Sequence, residues 1–253
     1  MKLKISRFLL FLLFCFSVKA QTQNQYGANL RGDINKKHIS MVFTGHEFAD
    51  GGEFILEILK KEKIRASFFF TGDFYRNKNF EILIKNLKKS GHYLGAHSDK
   101  HLLYCAWAKR DSLLVSKEEF LSDLNKNYAE MARFGIKKSD AKFFLPPYEW
   151  YNDTISGWTE EADLQLINYT SGTLSNADYT TPDMKNYKNS EVIYKSIFGY
   201  ESKNTLNGFI LLIHIGTSPL RTDKFYFRLP ELINDLKRKG YEFKRVDELL
   251  ENN

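Results

Sequence analysis

Cysteine is scarce in this chain, with only Cys15 and Cys105 among 253 residues. Cys15 lies in an apolar run at the N terminus that we predict to be removed, so the mature chain would keep one cysteine. An intramolecular disulfide is then excluded from the mature fold. Cys105 lies in the apolar stretch LLYCAW, and we expect it to be a buried, unreactive thiol.

A large excess of one charge is also missing once the N terminus is set aside. The full chain has a formal net charge of +6. Four basic residues and no acidic ones fall within the first twenty positions, which leaves 33 basic against 31 acidic residues, or +2. A near-neutral chain has no electrostatic reason to bind nucleic acid, so we expect no such partner.

Long hydrophobic runs are absent apart from FLLFLLFCFS near the N terminus. This run follows a basic segment, precedes the cleavage signal Val18-Lys19-Ala20, and is shorter than the about 20 residues that span a bilayer. We therefore predict a secretory signal peptide over residues 1–20, cleaved after Ala20, and a secreted or periplasmic protein without a membrane span. A lipoprotein anchor on Cys15 is the alternative, although the preceding Phe14 is too bulky for the usual motif.

The remaining sequence alternates apolar strands with amphipathic helices. The predicted strands are 38–44, 65–72, 92–98, 141–148, 163–170, 208–216 and 241–250, the last with a turn. The predicted helices are 51–64, 79–91, 116–135, 190–201 and 229–240. Strands separated by such helices predict a parallel sheet of βαβ units, and about seven of them nearly close a barrel. We predict a polar leader over 21–36 and one α/β domain over 37–253, a distorted (β/α) barrel.

Two histidines stand four residues apart in GAHSDKH, at the end of a predicted strand. In a helical turn His97 and His101 would share one face and could bind one metal ion. The alternative is a pair of surface or capping histidines. Ser98 and Asp99 could orient a ligand, which favours the metal site.

Other residues that could take part in catalysis or metal binding also follow predicted strands, where the loops of a barrel carry function. The loop VFTGHEFADGG offers His46 as a third metal ligand, and it offers Glu47 or Asp50 as a ligand or a base. The alternative is that this loop is only a turn. His214 ends the apolar strand FILLIH and is either a core residue or a general acid. Pro146-Pro147-Tyr148 is rigid, and serves either to aim a backbone N–H at an oxyanion or as a structural turn.

Together these motifs resemble the polysaccharide deacetylase family (the NodB-homology domain, carbohydrate esterase family 4) over roughly residues 36–250. The matching pieces are ISMVFTGHEFADGG, EILKKEKIRASFFFTGDF, GHYLGAHSDKH, FFLPPYEWYN and FILLIH. The resemblance implies a NodB-like, seven-stranded variant of the TIM barrel with a divalent metal, commonly zinc. It places the metal-binding pair on His97 and His101, the general acid on His214, and the oxyanion N–H on Tyr148.

The chain departs from the family pattern at the position of the catalytic base. The family has two adjacent aspartates where this sequence reads Thr44-Gly45, and a one-residue insertion would bring His46 to the ligand position with Glu47 beside it. Asp50 is the competing carboxylate. The usual arginine before Pro-Pro-Tyr is Leu145, and Glu149 replaces the usual glycine. Asp178, in SNADY, is expected to tune the site.

The resemblance thus predicts an enzyme: a secreted, metal-dependent deacetylase that removes N- or O-acetyl groups from an acetylated carbohydrate. Trp107, Trp150 and Tyr151 could stack on sugar rings, although packing is their ordinary role. The alternatives are a catalytically impaired member of the fold that binds carbohydrate and, with less support, a metallohydrolase of a non-sugar amide. No feature of the sequence indicates an oligomeric state.

Overall fold

The computed structural model describes residues 24–250. The predicted signal peptide, residues 1–20, lies outside the described residues, so its cleavage stays a prediction. Within residues 24–250, no helix has both the length and the apolar character needed to cross a membrane. Cys105 is buried, as its apolar surroundings predicted, and forms no disulfide within the described residues.

A seven-stranded parallel sheet forms the centre of the protein. Its strands run in the order β7-β6-β5-β4-β3-β8, and β9 pairs with the start of β3. They are β3 (His38–Gly45), β4 (Ser67–Phe70), β5 (Tyr93–Ala96), β6 (Phe143–Phe144), β7 (Gln165–Leu166), β8 (Phe209–His214) and β9 (Glu242–Phe243). The predicted α/β barrel of parallel strands is confirmed, and its distortion lies in the strands that are only two residues long.

Helices connect the strands. They are α1 (Gly52–Glu62), α2 (Gly72–Arg76), α3 (Glu81–Lys89), α4 (Lys117–Ala132), α5 (Asp153–Glu161), α6 (Ser190–Asn204), α7 (Leu229–Arg238) and α8 (Val246–Leu250). A capping box starts α4, because Ser116 and Glu119 each bind the other's backbone N–H. Helices α2, α5 and α8 were not predicted. Two have only five residues, and α8 occupies the second half of the segment predicted as a strand and turn.

The core is built from apolar strand residues that face helices or barrel interior. In β3 every residue after His38 is buried, which is typical of a parallel strand covered on both faces. Phe43 stacks on Phe68 of the neighbouring strand, with ring centroids 5.0 Å apart. The strand residues therefore stabilise the sheet through burial and aromatic packing.

The gap between β7 and β8 is filled by residues of the predicted leader. The antiparallel pair β1 (Asn24–Gln25) and β2 (Ala28–Asn29) precedes this gap. Asn29 forms a bridge with Ile167 after β7, and Arg31 forms one with Phe209 of β8. The Thr170 N–H donates to the Ile210 carbonyl at 3.0 Å. Residues 28–31 thus belong to the barrel wall, although their polar composition predicted a leader.

The strand register brings the loops that carry the candidate site residues to one edge of the sheet. Thr44 of β3 pairs with His214 of β8, and Gly45 pairs with Phe70 of β4. Further along, Phe70 pairs with Ala96 of β5. The residues that follow these strands, His46 and His97 among them, therefore meet at the carboxyl edge of the sheet.

Candidate active site

Two adjoining cavities open at this edge. The histidine cavity, about 360 Å³, is lined by His46, His97, His101 and His214, four of the six histidines in the chain. The aromatic cavity, about 390 Å³, is lined by Trp107, Tyr148, Glu149 and Tyr179. His101, Tyr179 and His214 line both. Residues from five separate segments of the chain, 44–48, 97–107, 148–149, 179–184 and 214–220, therefore share one continuous concave surface.

His97 is fixed by two hydrogen bonds directly after β5. Its backbone N–H donates to Asn127 Oδ1 on α4 at 2.8 Å. Its ring Nδ1 lies 2.7 Å from the Leu145 carbonyl oxygen, so Nδ1 carries the proton and Nε2 keeps a free lone pair. Burial lowers the pKa of His97 to about 3, helped by the neighbouring His214 and His46. The ring is therefore neutral, the form that binds metals.

His101 approaches His97 through a loop and not through a helical turn. The expectation of a shared helix face was wrong, because Ser98 and His101 have left-handed backbone angles, with φ of 73° and 55°. The loop still places the two rings 5.1 Å apart between centroids. Burial lowers the pKa of His101 to about 2, and the other histidines reinforce this shift. The predicted pair is thus brought together by a different backbone path.

His46 joins this pair from the end of β3. Its ring lies 4.8 Å from that of His101, and its Nδ1 is 3.1 Å from Thr71 Oγ1 at the start of α2. Gly45 ends the strand, and His46 lines the cavity directly after it. The one-residue insertion relative to the family stays a prediction. Three imidazoles from two loops lie beside one another.

These residues suit a divalent metal in kind. Neutral imidazoles are preferred ligands of zinc. Thr44 lines the same cavity, and its buried hydroxyl has no hydrogen-bond partner among residues 24–250. The three rings have not converged, however: no group of three or more His, Cys, Asp or Glu side chains in the described part is placed to hold a metal. The His46 and His101 planes differ by only 11°, a stacked arrangement. The donor set fits, and the rings would have to turn to bind.

Asp99 does not orient a ligand, contrary to expectation. Its buried carboxylate pairs with Arg76, and its backbone N–H donates to Asp123 Oδ2 at 2.9 Å. The orienting contact on His97 comes from the Leu145 carbonyl, a backbone group that the sequence could not reveal. Asp99 and Asp123 instead hold the shape of the loop that carries His101.

His214, at the end of β8, also lines the histidine cavity. Its backbone N–H donates to Asp178 Oδ2 at 2.9 Å, and its ring Nδ1 lies 2.6 Å from Asp178 Oδ1. Burial disfavours the charged ring, but the buried carboxylate of Asp178 outweighs it and raises the pKa of His214 above its ordinary value. The expected partnership between SNADY and the active-site edge is present. A protonated imidazole held in this way can act as a general acid.

The segment 146–148 forms a tight turn beside His101. Tyr148 has a left-handed backbone, with φ of 59°, and its ring centroid lies 4.3 Å from that of His101. Trp107 packs edge-on against the same tyrosine. Both aromatic rings are about half exposed at the cavity, whereas Tyr151 is buried in the core. Trp107 and Tyr148 can therefore meet a ligand, and Tyr151 is a packing residue.

The two candidate carboxylates of the first loop differ in their surroundings. Glu47 is exposed and lines the histidine cavity. Asp50 lies outside it, where Oδ1 accepts from the Thr217 N–H at 2.8 Å and Oδ2 accepts from Tyr226 and Lys224. These contacts outweigh burial and lower the pKa of Asp50. Asp50 is therefore engaged in holding two loops together, and its catalytic role stays a prediction without support from the cavity.

Two groups were not assigned a role from the sequence. Thr44, whose hydroxyl has no hydrogen-bond partner among the described residues, was noted only as a departure from the family pattern. Glu149 was noted in the same way, although its side chain lines the aromatic cavity. In both cases the signal was present, because each residue replaces an expected type at a motif position.

Known proteins similar to this chain share its motifs and its fold. The sequence model described as polysaccharide deacetylase matches residues 32–167. A peptidoglycan-N-acetylglucosamine deacetylase of Bacillus cereus is 26% identical over 85% of this chain and 89% of its own length. The Bc1960 peptidoglycan N-acetylglucosamine deacetylase superposes with a TM-score of 0.71 at 20% identity, covering 89% of this chain and 94% of that one.

Two further solved structures with this fold are a pseudoenzyme and an esterase. BA3943 of Bacillus anthracis, a CE4 family pseudoenzyme, has a TM-score of 0.67 at 21% identity, covering 89% and 69% of the two chains. An acetyl xylan esterase of Clostridium thermocellum in complex with cobalt has a TM-score of 0.65 at 21% identity, covering 83% and 89%. The family match spans more than half of the chain, in agreement with the barrel and with the order of the motifs. This protein belongs to the polysaccharide deacetylase family.

Proposed function

We propose that the protein is a secreted, metal-dependent deacetylase that hydrolyses N- or O-acetyl groups of a polysaccharide or oligosaccharide. The observation that carries the proposal is the pairing of three clustered imidazoles with the His214–Asp178 pair across one cavity. The first group suits a metal, and the second suits an acid. Membership of the deacetylase family and the peptidoglycan-N-acetylglucosamine deacetylase activity named for the Bacillus cereus relative support this reading.

His97, His101 and His46 would hold the ion, which we propose to be zinc. When bound, a divalent ion in such a site lowers the pKa of water and polarises an acyl carbonyl. The cobalt complex of the related acetyl xylan esterase supports a metal in this fold.

The other residues would act on the substrate directly. The Tyr148 N–H is our candidate donor to the oxyanion, and Trp107 offers an exposed face to a sugar ring. His214 would donate a proton to the leaving amine or alkoxide, since Asp178 favours the protonated form of its ring. Glu47 is the sequence-based candidate for the base, because it lines the cavity and has no hydrogen-bond or ion-pair partner within the described part of the chain.

The test is acetate release by protein beginning at Gln21, with acetylated chitooligosaccharide, xylan and peptidoglycan fragments as substrates. We expect release that a chelator abolishes and that zinc restores. His97→Ala should abolish release, and it should also lower the zinc content of the purified protein. Release that is unaffected by both the chelator and His97→Ala would contradict the proposed centre.

A non-catalytic carbohydrate-binding role is the second candidate. The missing aspartate pair favours it, as does the existence of a pseudoenzyme of the same fold. This candidate predicts saturable binding of an acetylated oligosaccharide, measured by calorimetry, without acetate release or bound metal. Secretion is tested separately: N-terminal sequencing of exported protein should begin at Gln21.

A further inference from the structure

Glu149 is a cavity-lining carboxyl group that the mechanism above does not use. It lines the aromatic cavity with His101, Tyr148 and His214. Its carboxylate makes no hydrogen bond or ion pair with any of residues 24–250. Its backbone, in contrast, is held firmly, because the Glu149 carbonyl accepts from Asn168 Nδ2 at 2.8 Å. A fixed backbone thus carries a side chain that is free to meet a ligand.

The chain tolerates two unfavourable features to place a carboxyl here. Glu149 has a φ of 53°, directly after Tyr148 at 59°, in the left-handed region that glycine adopts most easily. Burial, opposed by His214 and aided by Asp178, raises the pKa of Glu149 to about 7. Such combinations of backbone strain and a poorly solvated charge concentrate at functional sites.

The other carboxylates around the two cavities are less suitable than Glu149 as a proton acceptor in catalysis. Glu47 is exposed, and Asp50 is bound by Lys224, Tyr226 and the Thr217 N–H. Asp178 is occupied by His214. Asp183, at the edge of the histidine cavity, is exposed and accepts from Thr181 Oγ1.

We propose that Glu149 is a catalytic base of this site, in place of the missing aspartates, and that it works as a pair with His214. This inference rests on the deacetylase function proposed above. The Glu149 carboxylate takes a proton from the attacking water as the water oxygen bonds to the acyl carbon. His214 gives its Nε2 proton to the leaving nitrogen or oxygen as the bond from that atom to the acyl carbon breaks.

The two residues then restore each other. Protonated Glu149 returns its proton to neutral His214 across the cavity that they share. One water is consumed, the deacetylated sugar leaves, and the acetic acid formed loses its own proton to solvent. The titratable groups that face this pair are His97, His101, Tyr148, Tyr169, Asp178, Tyr179 and Arg221.

The experiment compares kcat/KM for acetate release across pH in variants of the zinc-loaded protein. We expect Glu149→Gln and Glu149→Gly to lose at least about 100-fold, the usual contribution of a general base. The glycine variant relieves the left-handed backbone, so its thermal midpoint should equal or exceed that of the wild type, which separates lost chemistry from lost folding. Glu57→Gln, an exposed glutamate on α1, is the matched control and should stay within about twofold of the wild type.

Several outcomes would overturn the proposal. If Glu149→Gln retains activity within about threefold of the wild type, or if Glu47→Gln loses more activity than Glu149→Gln, Glu149 is not the base and the deacetylase function stands. If the wild type releases no acetate from any of the three substrates, the proposed function fails and the base role fails with it. An NMR titration of His214 needs no catalysis: we expect a lower midpoint in Glu149→Gln, and an unchanged midpoint would contradict the pairing.

Discussion

The two walls of the histidine cavity use the same side chain in opposite ways. His97 and His101 are buried beside other imidazoles and a backbone carbonyl, and the pKa of each is strongly lowered. His214, partly exposed, faces the carboxylate of Asp178, and its pKa is raised. The difference teaches that the neighbours of an imidazole decide its role: neutral rings can bind a metal, and a charged ring can donate a proton.

The strongest way to break this comparison is to remove a neutral ring. His97→Ala should reduce acetate release below detection and remove bound metal, because it deletes the ring held by Leu145. Metal content is measured by mass spectrometry alongside activity. His38→Gln, at the start of β3, is the control and should retain both. Full metal occupancy in His97→Ala would show that this wall is not the metal site.

The role of His214 is tested by His214→Asn, which should lower kcat/KM by about 10²–10⁴-fold, as expected for loss of a general acid. Asp178→Asn tests the cause of the raised pKa of His214. His214 acts while protonated, so its raised pKa extends activity toward high pH, and loss of Asp178 should move the alkaline limb of the pH–rate profile to lower pH. An unmoved limb would mean that another group donates the proton.

His92 sharpens the comparison, because it is buried outside both cavities. Burial, with Arg245 and Arg65 nearby, lowers the pKa of His92 to about 4 from 6.5. The unfolded chain therefore binds a proton below pH 6.5 that the folded chain does not, and stability is lost as pH falls from 6.5 toward 4. The loss at pH 5 should be about 2 kcal/mol. Urea unfolding at pH 7 and pH 5 should show this slope, and His92→Gln should flatten it.

The smallest effect is expected at Asp50, which joins two loops outside the histidine cavity. Asp50→Asn should lower the free energy of unfolding by about 1 kcal/mol, since one charged acceptor of Lys224 and Tyr226 is weakened in a partly exposed position. Its kcat/KM should change by less than about threefold, within the range of a structural substitution. A larger loss of activity without a loss of stability would return Asp50 to the chemistry.

Much of the fold was predictable because the hydrophobic periodicity of each long segment favours the same element that the tertiary structure uses there. The long apolar strands β3 and β8 and the helices α1, α3, α4, α6 and α7 all carry clear periodicity. The short strands β6 and β7 were predicted too long, because burial in this region depends on the loops that flank them. Helix α5 was missed, since its apolar positions are few and Gly157 interrupts them.

The candidate site was predictable in its members and not in its contacts. His46, His97, His101 and His214 all line the cavity to which their strand-end positions assigned them. The roles of Asp99 and Asp50 were misjudged or left open, because a carboxylate near a motif is as ready to bind arginine or lysine as to serve chemistry. Only packing decides which partner it meets.

The amino-acid sequence by itself determined the alternation of strands and helices, the order of the motifs and the residue types at each strand end. Only the tertiary structure decided that the Leu145 carbonyl orients His97, that Asp178 raises the pKa of His214, and that the Glu149 carboxylate lies at the cavity without a partner among residues 24–250. The physical reason is that periodicity and turn chemistry act between residues a few positions apart. The protonation state and orientation of a buried side chain depend instead on groups that lie tens of positions away in the chain.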